Sequence, residues 1–100
     1  MNDSLNNVSL EKLNSLADLF KIFGDLTRLR IMKALFNGPM SVGQIANKLQ
    51  MSQSAISHQL KYLKDANLVK GKRNGKSIYY ELADEHVKII FKTGIDHIYE

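Results

Sequence analysis

Apolar positions in the first two-thirds of the chain recur at helical intervals. From about Ser9, the residues Leu13, Leu16, Ala17, Phe20 and Phe23 form one stripe, which Gly24 ends. Asp25 has the chemistry of an N-cap for the segment "LTRLRIMKALF", where Leu26, Leu29, Ile31, Met32 and Leu35 are available for burial. Asn37-Gly38-Pro39 is a hard stop, because Gly and Pro both break helical backbone. Ser41-Val42-Gly43-Gln44 has capping-box form and opens a short helix reaching about Lys48. Ser52 can cap the next helix, "QSAISHQLKYLKDA", with Ala55, Ile56, Leu60 and Leu63 inward. Only "LQM" separates these two helices, a connection short enough for a helix-turn-helix.

The period then changes. "LVKGKR" and "KSIYYEL" flank Asn74-Gly75, a dipeptide that favours a type I′ turn because both central positions need positive φ. This predicts a β-hairpin with a basic tip. The final segment, "ADEHVKIIFKTGIDHIYE", is helical again from about Glu85, with Val87, Ile90, Phe91, Gly94, Ile95 and Ile98 along one stripe. That stripe must pack on its own core, on a second chain, or partly on each, and Gly94 lets another backbone come close. No internal repeat or linker divides the chain. Residues 1–8 are expected to be disordered, and residues 1–100 to make one domain. The expected fold is mainly α with a β-hairpin, a winged helix-turn-helix of order ααααββα, dimeric through its first and last helices.

Composition narrows the function. A chain of 100 residues makes a small core, so association adds usefully to its stability. Without Cys there is no disulfide, thiolate metal site or thiol switch. The start, "MNDSLNNVSL", lacks the basic-then-apolar profile of a secretory leader, and no apolar run approaches a membrane span. A cytoplasmic protein is expected. The net charge is +4, and six basic residues (Lys61, Lys64, Lys70, Lys72, Arg73, Lys76) face one acid, Asp65, between positions 61 and 76. Such a stretch is either a solvated face or a phosphate-binding strip.

The second helix of a helix-turn-helix lies in the major groove, braced by the first. Here it exposes Gln53, Ser54, Ser57, His58 and Lys61, which can hydrogen-bond base edges and phosphates. The basic hairpin follows at once, with Lys70, Lys72, Arg73 and Lys76 within reach of neighbouring phosphates. Each polar residue alone is an ordinary surface residue. Their coincidence with a tight helix pair and a basic hairpin points to double-stranded DNA. Ser57 and His58 are adjacent and point apart on a helix, and no motif joins a nucleophile, a base and an oxyanion donor, so the reading is not an enzyme.

The last helix carries a second constellation. His86 and His97 are eleven residues apart, about three turns, and therefore share a direction while lying roughly 16 Å apart. Zinc–ligand bonds are only about 2 Å long, so one helix cannot bring both histidines to one ion. Two antiparallel helices can. Asp84 and His86 of one chain would then meet His97 and Glu100 of its partner, and two-fold symmetry would make two such sites. Two imidazoles and two carboxylates suit Zn(II) and are tolerable for Co(II). The plainer reading of the same spacing is Asp84 as an N-cap, two surface histidines and a solvated Glu100.

"FKIFGDLTRLRIMKAL", "SVGQIANKLQMSQSAISHQLKYLKDANLVKGKRNGKSIYYEL" and the tail together resemble the ArsR/SmtB family of metal-responsive winged-helix repressors. The resemblance runs over nearly the whole chain from about residue 16. It implies a homodimer that binds an inverted-repeat operator and releases it when metal binds. The zinc-sensing members carry Asp-x-His-x₁₀-His-x₂-Glu or -His on this last helix. The match implies Asp84, His86, His97 and Glu100 as ligands of Zn(II), or of Co(II), as regulatory ligand. It also implies that His97 reaches a backbone carbonyl near Asn67. Two positions depart from the family, which often has Gly where Gln50 and Asn67 stand. Asn tolerates the left-handed conformation. Gln fits it less well, so the turn between the two short helices is expected to differ in shape. The competing readings are a DNA-binding regulator without metal control and a dimeric metal-storage protein with an incidental basic patch.

Overall fold

The computed structural model describes residues 5–100. The expectation of disorder over residues 1–8 falls, for residues 1–4, outside the described residues. Leu5 and Asn6 have helical geometry and Asn7 lies in a turn. Five longer helices and three strands follow: α1 (Leu10–Phe23), α2 (Leu26–Leu35), β1 (Met40–Ser41), α3 (Val42–Leu49), α4 (Gln53–Asp65), β2 (Val69–Asn74), β3 (Ser77–Leu82) and α5 (Glu85–Tyr99).

Each of these helices starts where a short polar side chain captures an unpaired backbone N–H. Ser9 accepts from Lys12 N, Asp25 from Arg28 N, Ser52 from Ala55 N and Asp84 from Val87 N. At α3 the capping box is complete: Gln44 N donates to Ser41 Oγ at 3.2 Å, and Ser41 N donates to Gln44 Oε1 at 2.9 Å.

The two helices of the helix-turn-helix also end alike. In α4, Leu68 N donates to Leu63 O and Asn67 N to Lys64 O, both at 2.9 Å, with Asn67 at φ 62°. In α3, Met51 N donates to Ala46 O at 3.0 Å and Gln50 N to Asn47 O at 3.4 Å, with Gln50 at φ 57°. Both are Schellman closures around a left-handed residue. Gln50 takes the left-handed backbone itself, so the turn closes in this chain without Gly. The closing bonds hold the left-handed backbone, and the Gln50 amide adds a bond from Nε2 to Asn47 O at 2.7 Å.

The sheet has order β1-β3-β2 and is antiparallel throughout. β1 is an addition to the expected order. It is two residues long, pairing Met40 with Tyr80 and Ser41 with Tyr79, and is too short to show a period of its own. The hairpin is offset by one residue from expectation. Asn74 pairs with Ser77, so the turn is centred on Gly75-Lys76, and only Gly75 has positive φ (67°). Positive φ at the first central position alone is the type II′ pattern, in which Gly takes the left-handed position and Asn74 remains in the ladder.

The core is built around Ile31, Met32, Leu35, Ile45, Ile56, Leu60 and Leu63, all essentially inaccessible. Packing them together seats α2, α3 and α4 on one another, while Val69, Leu82 and Val87 bring the sheet and the start of α5 onto the same core. The outer helices are different. Ile22 is the one buried residue of α1, and Val87 the one buried residue of α5. Leu13, Leu16 and Phe20 of the α1 stripe are exposed, as are Ile95 and Ile98 of the α5 stripe. Between α1, α2 and α5 runs an apolar groove of about 500 Å³ lined by Phe20, Phe23, Leu26, Leu29, Ile90, Phe91, Ile95 and Ile98. No helix among the described residues is long and apolar enough to cross a membrane.

Candidate DNA interface and metal half-sites

The recognition helix α4 is fixed on one face and open on the other. Ile56, Leu60 and Leu63 anchor it in the core, and Gln53, Ser54, Ser57, His58 and Lys61 are exposed as a group. Ser52 Oγ, which caps the helix, lies 3.4 Å from Ser54 Oγ, placing two hydroxyls at the N-terminal end of α4. Lys61 Nζ is 3.2 Å from Asp65 Oδ2, so its charge is partly balanced within the helix. In the hairpin, Lys70, Lys72, Arg73 and Lys76 are all exposed. Lys72 and Arg73 border a concavity of about 390 Å³ shared with Pro39, Asn74, Tyr79 and Glu81.

Four residues overlooked in the sequence tie the helix-turn-helix to α2. Arg28 Nε donates to Gln59 Oε1 at 3.1 Å, and its guanidinium carbon lies 4.0 Å from the centre of the Tyr62 ring. Arg30 Nη2 donates to Leu49 O at 3.0 Å, satisfying a carbonyl at the end of α3 next to the left-handed Gln50. Their partners lie 31 and 19 residues away, and no local pattern reveals such pairs.

The four candidate ligands form two pairs at opposite ends of α5. At its start, Asp84 Oδ1 is 3.7 Å from His86 Nδ1 while accepting the capping bond from Val87 N. At its end, His97 Nδ1 is 4.0 Å from Glu100 Oε1. Asp84, as N-cap, has extended backbone (φ −162°, ψ −178°), which turns its carboxylate onto the His86 side, two residues on. Both histidines are strongly exposed. Ligand atoms about 2.05 Å from a tetrahedral zinc stand roughly 3.3 Å apart. Each pair therefore needs only a small side-chain adjustment to share an ion, and the nitrogen/oxygen donor set fits one. Among the described residues, no three His, Asp or Glu of a single chain converge. The His97 ring, with Nδ1 4.0 Å from Glu100 Oε1, is exposed on the surface of the single chain.

Residues 25–70 match the sequence profile of the bacterial regulatory protein, arsR family. Over 93 residues the chain is 39% identical to the transcriptional repressor SmtB homolog of Synechocystis sp., spanning 93% of this chain and 70% of that protein. The chain belongs to the ArsR/SmtB family of winged-helix transcriptional regulators. This family consists of DNA-binding regulators, not enzymes. The ArsR-family chain is also 37% identical over 82 residues to the cadmium resistance transcriptional regulatory protein CadC homolog of Staphylococcus aureus, covering 81% of this chain and 68% of that one. Its fold matches the solution structure of a homodimeric winged helix-turn-helix DNA-binding domain from Mycobacterium bovis. The TM-score is 0.85 at 28% identity, with 92% of this chain and 85% of that chain covered.

Proposed function

We propose that the protein is a zinc-responsive transcriptional repressor of the cytoplasm. Its homodimer binds an inverted-repeat operator in the apo form and releases it when Zn(II) or Co(II) binds between the C-terminal helices. The observation that carries the reading is the placement of Asp84–His86 and His97–Glu100 as separate acid–imidazole pairs at the two ends of one helix with an uncovered apolar face.

The dimer follows from that face. Leu16 is 43%, Phe20 56% and Ile98 77% exposed, large apolar side chains on α1 and α5 left facing water. Packing α1 and α5 against the same helices of a second copy covers them. If the two α5 helices run antiparallel, the start of one lies by the end of the other, and four donors meet twice. When bound, the ion supplies a bridge between chains that neither chain makes alone. Asp84 keeps its capping bond through Oδ1, and the cap does not use the other carboxylate oxygen. His86 and His97 each lie beside a carboxylate, at 3.7 and 4.0 Å, so each end of the helix offers an imidazole and an acid together.

DNA reading belongs to α4 and the hairpin. Gln53, Ser54, Ser57 and His58 are offered to base edges and nearby phosphates, and Lys61, Lys70, Lys72, Arg73 and Lys76 to the backbone. Release follows if metal prefers a dimer shape whose two recognition helices no longer match successive grooves. The effect is limited to the difference in affinity for the two shapes. Relatives named for repression and for cadmium resistance support a metal-responsive repressor.

Fluorescence anisotropy on the protein's own promoter duplex tests the reading. Zinc should weaken binding by wild type about 5- to 150-fold, the usual range of such coupling, and His97→Ala should keep its affinity. Release of His97→Ala at the same zinc concentration removes the tail as sensor. Because Asp84 already serves as a cap, the competing reading is a regulator that ignores metal; it predicts that both proteins hold DNA throughout the titration.

A further inference from the structure

Ile56, Leu60 and Leu63 form one buried apolar strip that seats α4 on the core through non-directional contacts. Rotation matters for reading DNA. A side-chain tip roughly 6 Å from a helix axis moves roughly 1 Å for each 10° of roll, enough to break a hydrogen bond to a base edge. Directional contacts hold a roll more sharply than apolar ones, and among the described residues those reaching the side chains of α4 from outside the helix-turn-helix come from Arg28.

Arg28 is itself well placed. Its backbone N–H donates to Asp25 Oδ2 at 3.1 Å, which fixes it in the first turn of α2. Its Nε donates to Gln59 Oε1, and its guanidinium lies over Tyr62, one turn further along α4. One planar group thus grips two successive turns on a flank of α4 that runs from half-buried Gln59 to exposed Tyr62, which lies one turn beyond His58 on the same side. A hydrogen bond in the guanidinium plane and a ring stacked on its face are perpendicular constraints, which a rotatable ammonium cannot impose together.

We propose that Arg28 is a positioning residue for operator recognition, which sets the roll of α4 through Gln59 and Tyr62 without touching the bases itself. This rests on α4 being the DNA-reading helix and not on metal control, so the test is run without zinc.

The probes are a duplex enriched by the wild-type protein from a randomised pool and a scrambled duplex of the same composition. Arg28→Lys keeps the charge and loses the planar fork. Its affinity for the enriched duplex should fall roughly tenfold, with affinity for the scrambled duplex unchanged. Tyr62→Phe keeps the ring and should behave as wild type, while Tyr62→Leu should match Arg28→Lys. The double variant Arg28→Lys/Tyr62→Leu should be little worse than either single one, because both break the same clamp. Wild-type affinity in Arg28→Lys overturns the proposal, as does an equal loss on both duplexes, the behaviour of a phosphate contact or a damaged fold. If Arg28→Lys does not fold, the Tyr62 pair decides: equal behaviour of Phe and Leu overturns the proposal. Failure of the wild type to prefer its enriched duplex would instead remove α4 as the reading helix.

Discussion

Gln50 and Asn67 do the same backbone task in different circumstances. Each is a left-handed residue closing a helix through the bonds of a Schellman turn. For a residue with a Cβ, that conformation costs about 1–2 kcal/mol, which Asn, with its short polar side chain, bears more easily than Gln. Gln50 offsets part of this through its bond to Asn47 O, but the bond is exposed and its net worth is small. Gln50→Gly should therefore raise the unfolding free energy by about 0.5–1 kcal/mol, the steric relief less the extra entropy of glycine in the unfolded chain. Urea denaturation checks this, and a loss of stability would show that the side-chain bond outweighs the strain. The residue also lies beside Leu49 O, which Arg30 binds, so relief of strain here should leave the setting of the helix pair intact.

At the scale of elements, the charges of the hairpin and of α4 should differ in effect. Lys72 and Arg73 border the wing concavity, whereas Lys61 is already paired with Asp65. Each phosphate neutralised contributes about 0.9 to the slope of log affinity against log salt. Replacing Lys72 and Arg73 together by Gln should reduce the slope by about 1.8, and Lys61→Gln should reduce it by less than one such step. A full step of about 0.9 for Lys61→Gln would mean that the Lys61–Asp65 pair opens on DNA.

The same elements show what a sequence reveals and what it hides. The caps at Asp25, Ser41, Ser52 and Asp84 were legible because each joins residues three apart. So was the apolar period of α4, which three consecutive turns repeat. Strand β1 was not, because its identity comes from Tyr79 and Tyr80, nearly forty residues later. The hairpin was legible as a hairpin, but its register was not. Asn74-Gly75 and Gly75-Lys76 are both acceptable turn pairs, and cross-strand packing from Val69–Leu82 onward chose between them. The Arg28 clamp left no local trace. The four candidate ligands were readable as two pairs, since capping brings Asp84 to His86 and one helical turn brings His97 to Glu100. Whether the pairs meet lies beyond one chain.

That last step belongs to the whole molecule and has a decisive test. A site shared across the dimer needs the start of one α5 and the end of another, so two defective chains can repair each other. His86→Ala and His97→Ala should each lose tight metal binding, because every site in either homodimer lacks one imidazole. Mixed and allowed to exchange subunits, they form heterodimers in which the intact His86 of one chain faces the intact His97 of the other. The second site of that heterodimer lacks both. The mixture should therefore regain one tight site per heterodimer and, with it, metal-dependent loss of DNA binding. Co(II) absorption reports the recovered site directly, since tetrahedral and octahedral cobalt differ strongly in intensity. If each helix instead held its own ion, mixing would restore nothing. If the histidines were surface residues only, neither single variant would change the cobalt spectrum. A third variant checks that α5 packing brings the pairs together: Ile95→Glu puts a charge on the exposed apolar stripe and leaves all four ligands in place. It should weaken dimerisation and metal binding in parallel, because the donors of one chain reach four only when a second chain is docked.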